Sequence, residues 1–202
     1  MRLILVRHGE TENNTAWKLD TAVPGGNLSN HGKDQAQQLV QRFQDEDIAA
    51  LYASTLVRTQ QTIAPLSKAL DLPVTVLDGL REVPAGDDEM STDATRYAEM
   101  MMAWMHGDPT AKIPGGQNLV EFMARYDAAI NEIEQGPQSA LAVSHGAALL
   151  VWCHARVRGF AETVGKMQLD NTASIVADGD LGKGYELVGI EGLHELGSGR
   201  GW

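Results

Sequence analysis

Two short segments carry side chains whose types suit one reaction. Arg7, His8 and Gly9 close one apolar run, and Ser144, His145 and Gly146 close another. A neutral histidine nitrogen attacks phosphorus directly when its other nitrogen is fixed by a backbone carbonyl. Arg7 and Arg58 offer planar forks of donors that match phosphate oxygens. A helix beginning after His145 adds backbone N–H groups and a positive dipole end. A carboxylic acid at Glu82 would protonate the departing oxygen and then activate water. The set fits phosphoryl transfer, in which catalysis is chiefly positioning and electrostatic stabilisation.

Such a set works only if the chain brings it together. Leu3 to Val6 is a continuous apolar run, the pattern of a strand buried on both faces. Ser29 caps a helix whose Ala36, Leu39, Val40 and Phe43 recur at helical spacing. A strand over Ile48 to Ala53 precedes a helix carrying Leu56, Ile63, Leu66 and Leu70, and Pro73 to Leu77 forms a third strand. From Glu82 to Gly116 the rhythm breaks into an acidic loop, an amphipathic helix over Ala94 to Met105 and the turn Pro114-Gly115-Gly116. A helix with Leu119, Phe122, Met123, Tyr126, Ile130 and Ile133 on one face follows. Then come a strand at Ala140 to Val143, an apolar helix over Ala147 to Val157, and strands at Ser174 to Ala177 and Tyr185 to Ile190. Strands alternating with helices predict an α/β fold with a largely parallel sheet. In such sheets ligands bind beyond the carboxyl ends of the strands, where His8, Ser54, Arg58, Glu82 and His145 fall.

The run LVRHGETENN resembles the opening motif of the histidine phosphatase superfamily, also called the phosphoglycerate mutase-like family. Further segments match in the same order: ASTLVRTQQT, LREV, GGQNLVEFMAR and VSHG. The resemblance implies a three-layer α/β fold with helices on both faces of the sheet. It also implies a phosphate pocket of Arg7, His8, Arg58 and His145, with His8 phosphorylated transiently and Glu82 as proton donor. Asn14 matches a phosphate-binding position, Thr21 falls near another, and Gly146 joins them as a substrate-binding residue. Ala22 stands where the family has glycine. AGDDEM departs from the family's Phe-Gly-x-Trp-Glu-Gly segment: Gly86 and Glu89 are kept, while Ala85 and Asp88 replace the aromatic positions. Glu89 is therefore a second candidate for the proton donor.

No HExxH or Cys/His cluster occurs, so no metal site and no cofactor is expected. Cys153 lies in an apolar helix and reads as a small buried hydrophobe. Met101, Trp104 and Met105 share a face with Ala94, Tyr97 and Ala98, which assigns them to the core. Met100 and Met102 fall off that face, where they would line a lid. His31 and the histidines outside the two motifs are expected at the surface.

The 202 residues are expected to form a single domain, with 83–116 as a lid over the site and 197–202 as a mobile tail. A net charge of −11 argues against partners that are nucleic acid or membrane. One cysteine, and an N-terminal apolar run too short for a leader, point to a cytoplasmic protein. The expected partner is a small phosphorylated metabolite, and a homodimer is compatible with the family resemblance. Three functions fit: a metal-independent phosphomonoesterase, a cofactor-dependent phosphoglycerate mutase, and a non-catalytic phospho-ligand-binding protein. The acidic stretch after Glu82 carries no basic residue for a second phosphate or carboxylate, which favours the phosphatase.

Overall fold

The computed structural model describes residues 1–165 and 167–195 of the chain. Leu3, Ile4, Leu5 and Val6 are at most 1% exposed and form the heart of strand β1 (Arg2–Arg7). Burying each side chain stabilises the fold by roughly 1.5–3 kcal/mol. Strand β4 (Ser139–Ser144) pairs parallel to β1 in a register that sets Arg7 against Ser144. Strands β2 (Ala50–Ala53) and β3 (Val74–Val76) extend the same parallel side, giving the order β3-β2-β4-β1. Beyond β1 lie β6 (Met167–Asp180), β7 (Gly184–Glu195) and the short β5 (Val157–Arg158). Within this seven-stranded sheet of the described residues, β6 alone runs antiparallel to β1.

Alternate residues of β1 face different helix layers. Ile4 and Val6 pack with Leu39 and Phe43 of α2 (Asn30–Phe43), and with Ile63 and Leu66 of α3 (Val57–Leu70). Leu3 and Leu5 face the opposite cluster. Its helices are α4 (Thr95–Met105), α5 (Leu119–Glu134), α6 (Gly146–Arg156) and α7 (Phe160–Val164). The three layers expected from the family resemblance are thus present. On the second face Trp104, Phe122, Tyr126, Trp152 and Tyr185 form an aromatic ladder with centroid spacings of 6.2, 5.5, 5.7 and 5.6 Å. Each such contact adds roughly 0.5–1.5 kcal/mol beyond burial. The short helix α1 (Glu12–Thr15), absent from the sequence reading, is fixed by a capping box between Thr11 and Asn14.

Several expectations change. The last two strands run far beyond Ser174–Ala177 and Tyr185–Ile190, because a bulge between Leu169 and Ser174 carries the hairpin past the end of the sheet. Thr172 occupies the left-handed region there, at φ 60°. The buried stripe of α4 is Tyr97, Met100 and Trp104, whereas Met105 is 65% exposed. The Trp104 indole donates to Ala111 O and stacks on Phe122, which fixes this rotation, so Met100 is core and only Met102 of the proposed lid pair faces outward. His194 is buried rather than at the surface, whereas His31, His106 and His154 are exposed. Cys153 is buried as expected. Among the described residues no helix is long and apolar enough to cross a membrane. The segment expected to be a mobile tail lies outside the described residues.

Candidate active site

Parallel pairing of β1 with β4 places His8 and His145 side by side, each one residue past its strand. Their rings stand 5.2 Å apart, edge to face. Backbone contacts seat His8 on both sides: its N–H donates to Ser144 O, and its carbonyl accepts from Thr172 N and Asn171 Nδ2. The contact at 2.7 Å between His8 Nδ1 and Gly9 O defines the tautomer. A carbonyl only accepts, so Nδ1 carries the proton and Nε2 keeps its lone pair. Burial, then the charges of Arg58 and Arg7, hold the His8 pKa well below its ordinary value. This direction favours the neutral ring.

His145 has the reverse tautomer. Arg58 Nη2 donates to His145 Nδ1 at 3.1 Å, and a guanidinium cannot accept. His145 Nε2 therefore donates to Ser54 Oγ at 2.7 Å, and Ser54 Oγ lies 3.1 Å from Thr59 Oγ1, a hydroxyl within reach of the carbonyls of Leu56 and Ser54 at 2.7 and 3.0 Å. Burial and Arg58 depress the His145 pKa well below its ordinary value. Arg58 itself is anchored on Asp20, through Asp20 O at 2.8 Å and the carboxylate at 3.5 Å. Its Nη1 meets that carboxylate only as an ion pair, and its Nε has no hydrogen-bond partner among the described residues, although the side chain is 3% exposed. Buried, unsatisfied donors on a cation make an anion receptor.

Arg7 donates to Leu169 O at 2.5 Å, and burial brings its pKa down to about 10. Gly146 makes this position possible, since a Cβ there would stand 3.2 Å from Arg7 Nε. The N–H groups of Ala147 and Ala148, the first turn of α6, donate to Glu82 at 3.2 and 2.7 Å. Those donors were expected to face phosphate; instead they hold the acid. Burial pushes the Glu82 pKa up, against the backbone hydrogen bonds and Arg58 that pull it down. Arg125 braces the approach to Glu82, donating to the carbonyls of Gly79, Arg81 and Glu82 at 2.7, 3.0 and 3.1 Å.

The remaining candidates separate. Asn14 Oδ1 accepts from Thr11 N at 3.0 Å, and Asn14 shares a cavity wall with Arg7. The Thr21 hydroxyl is engaged within its own loop region, donating to Glu89 and accepting from Ala85 N. Glu89 also accepts from Thr21 N and Ala22 N, so it holds a loop in place and is not presented to the histidines. Sequence reasoning missed Ser54's bond to His145, Arg125, Asn171 and Thr62, whose hydroxyl accepts from Gly9 N. Arg125 and Thr62 lie inside motifs quoted above; Asn171 gave no signal, because only the bulge turns it toward His8. Among the described residues no group of three or more His, Cys, Asp or Glu side chains is placed to hold a metal ion.

The chain matches a family model described as the histidine phosphatase superfamily (branch 1) over residues 3–189. It is 29% identical over 211 residues to the PE-PGRS family protein PE_PGRS11 of Mycobacterium tuberculosis, matching 93% of this chain and 36% of that protein. The chain thus spans about a third of that relative's length. It is 34% identical over 154 residues to a Proteus mirabilis protein named "Probable phosphoglycerate mutase GpmB", covering 74% of this chain and 71% of the relative. Among solved structures, the alpha-ribazole phosphatase from Shigella flexneri is similar, with a TM-score of 0.72 and 28% identity, covering 100% of this chain and 98% of that one.

Proposed function

We propose a hydrolytic role for this chain, which belongs to the histidine phosphatase superfamily (branch 1): it cleaves a small phosphomonoester through a phosphohistidine on His8, without a metal. The observation that carries this reading is the His8 Nδ1 contact with Gly9 O at 2.7 Å, which leaves a neutral Nε2 lone pair among Arg7, Arg58 and His145. His8 Nε2 attacks phosphorus while Arg7 and Arg58 take up the charge on the phosphoryl oxygens. Glu82, whose pKa burial raises, gives its proton to the leaving oxygen. As a carboxylate it then takes a proton from water, which releases phosphate from His8.

The 83–116 stretch acts in this reading as the lid of a single domain, and Asn14 assists phosphate binding. A mutase is the second reading, supported by the name of the Proteus mirabilis relative. Against it, Asp87, Asp88 and Glu89 follow the acid, and Arg96 is paired with Asp88. The test is hydrolysis of p-nitrophenyl phosphate with and without EDTA. Wild type is expected to turn over equally in both, and His8→Ala to lose turnover. An acid-labile, alkali-stable phosphoenzyme is expected on quenching. Substantial turnover by His8→Ala would remove His8 from its role. With 3-phosphoglycerate and a 2,3-bisphosphoglycerate primer, phosphate release supports the phosphatase and isomerisation the mutase.

A further inference from the structure

A guanidinium taken out of water needs a counter-charge held at a fixed place. For Arg58, whose side chain is 3% exposed, that counter-charge is Asp20, with a side chain 8% exposed. The two residues meet at two points of different kinds. Asp20 O accepts from Arg58 Nη2 at 2.8 Å, a hydrogen bond that orients the guanidinium. Asp20 Oδ2 lies 3.5 Å from Nη1 and forms an ion pair with it, without a hydrogen bond.

The reason lies in what Oδ2 already holds. Asn13 Nδ2 and Gly26 N both donate to it at 2.8 Å, which occupies its lone pairs. Towards Arg58 the carboxylate therefore acts as charge alone. Glycine makes the fit possible. A Cβ at residue 25 would stand 2.5 Å from Arg58 Nη1, and one at residue 26 would stand 3.0 Å from Asp20 Oδ2. Gly25 also lies at φ 72°, in the left-handed region.

The chain on either side of Asp20 is tied to the segment 89–91. Leu19 N donates to Ser91 O at 2.9 Å, and Met90 N donates to Leu19 O at 2.7 Å. Thr21 N and Ala22 N donate to Glu89 at 2.9 and 3.1 Å. Asp20 is thus fixed by its neighbours as well as by its own carboxylate. Burial lowers the Arg58 pKa, and Asp20 is the first of the charges that raise it again, ahead of Glu82 and Glu89.

We propose that Asp20 is a positioning residue that sets how tightly the pocket holds phosphate: it orients Arg58 towards the phosphoryl group and, as a fixed negative charge beside that cation, weakens binding of the released anion. The inference rests on the phosphatase reading above and adds to it the control of product release. Phosphate and the Asp20 carboxylate share one cation, so each lowers the other's gain from it. A hydrolase that gripped inorganic phosphate with the full charge of Arg58 would be occupied by its own product.

The probe is inorganic phosphate, whose Kd is measured by titration calorimetry on wild type, Asp20→Asn and Asp20→Ala, without any need for turnover. In Asp20→Asn the amide oxygen takes the place of Oδ2 and accepts from Asn13 and Gly26, so charge is lost and anchoring kept. That variant is expected to bind phosphate about tenfold more tightly, the scale of one partly screened like charge removed. Its melting temperature without phosphate should fall, because Arg58 is left buried without its counter-charge, and phosphate should raise it by more than in wild type. Asp20→Ala, which loses the two hydrogen bonds as well, should gain less in affinity. Its kcat/KM on p-nitrophenyl phosphate should fall about tenfold below that of Asp20→Asn. A purely structural Asp20 would leave both variants with unchanged or weaker phosphate binding, and either result would overturn the inference. Equal kcat/KM in the two variants would remove the positioning role. Wild type that binds no phosphate would overturn the reading of the site itself, and the inference with it.

Discussion

Glu82 accepts hydrogen bonds from Val83, Ala148 and Ala147, and its carboxyl nonetheless titrates above the ordinary 4.5 because burial outweighs those donors. The direction matters for catalysis. At ordinary values of 6.5 and 4.5, no pH would keep most of His8 neutral and most of Glu82 protonated. Lowering the first and raising the second moves the two working forms toward a shared window. Activity should therefore fall at low pH as His8 gains a proton, and at higher pH as Glu82 loses one. Glu82→Gln is expected to reduce kcat on alkyl phosphates by roughly 10²–10⁴-fold and to remove the alkaline limb. The loss should be smaller on p-nitrophenyl phosphate, whose leaving group departs without a proton. Glu89→Gln should keep the limb and lower the melting temperature, since Glu89 holds Thr21 and Ala22. If Glu89→Gln instead abolished the limb, the acid would be misassigned.

At the scale of elements, the approach of β1 to the start of α6 decides whether Arg7 can reach its place. A Cβ at residue 146 would lie 3.2 Å from Arg7 Nε and 3.4 Å from Cζ, so the guanidinium would have to give way. Gly146→Ala is expected to hold or raise the melting temperature, because alanine favours helix by about 1 kcal/mol over glycine. Its kcat/KM should nevertheless fall severalfold, as Arg7 must shift by a few tenths of an ångström and misplacements of about 1 Å cost up to 10². Retained kcat/KM with a lowered melting temperature would show that Gly146 serves only the helix. The elements bearing this contact were legible, because Leu3–Val6 and Ala140–Val143 are apolar runs ending in polar triplets. The close packing of Gly32, where a Cβ would stand 2.0 Å from Glu10 O, was hidden by a helix pattern that registers only side chains. The hairpin was underestimated because Asp170, Asn171 and Thr172 break the apolar run, while their backbone still continues through a bulge. The rotation of α4 depended on Trp104 finding Ala111 O, a contact made with the following loop and invisible to periodicity.

Over the whole molecule, the site opposes the stability of the fold that carries it. His8 and His145 are bases whose folded pKa values lie well below 6.5, so the unfolded chain binds more protons as pH falls beneath that value. Their contribution is present above about pH 6.5 and is lost progressively on acidification. Glu82 has the opposite sign. Its folded pKa is raised, so its contribution is present below 4.5 and is lost as pH rises through the folded value. Urea unfolding between pH 4.5 and 8 separates the two. His8→Asn is expected to flatten the rise of unfolding free energy with pH, and Glu82→Gln to steepen it. Arg7, lowered to about 10 by burial, stays charged throughout this range and loses hydration on folding. Inorganic phosphate adds negative charge beside Arg7 and Arg58 and should stabilise wild type by about 2.7 kcal/mol at 100 times its Kd. That gain should shrink in Arg58→Met, which removes the unsatisfied Nε and Nη1 donors. Equal stabilisation of wild type and Arg58→Met would place the anion elsewhere on the protein.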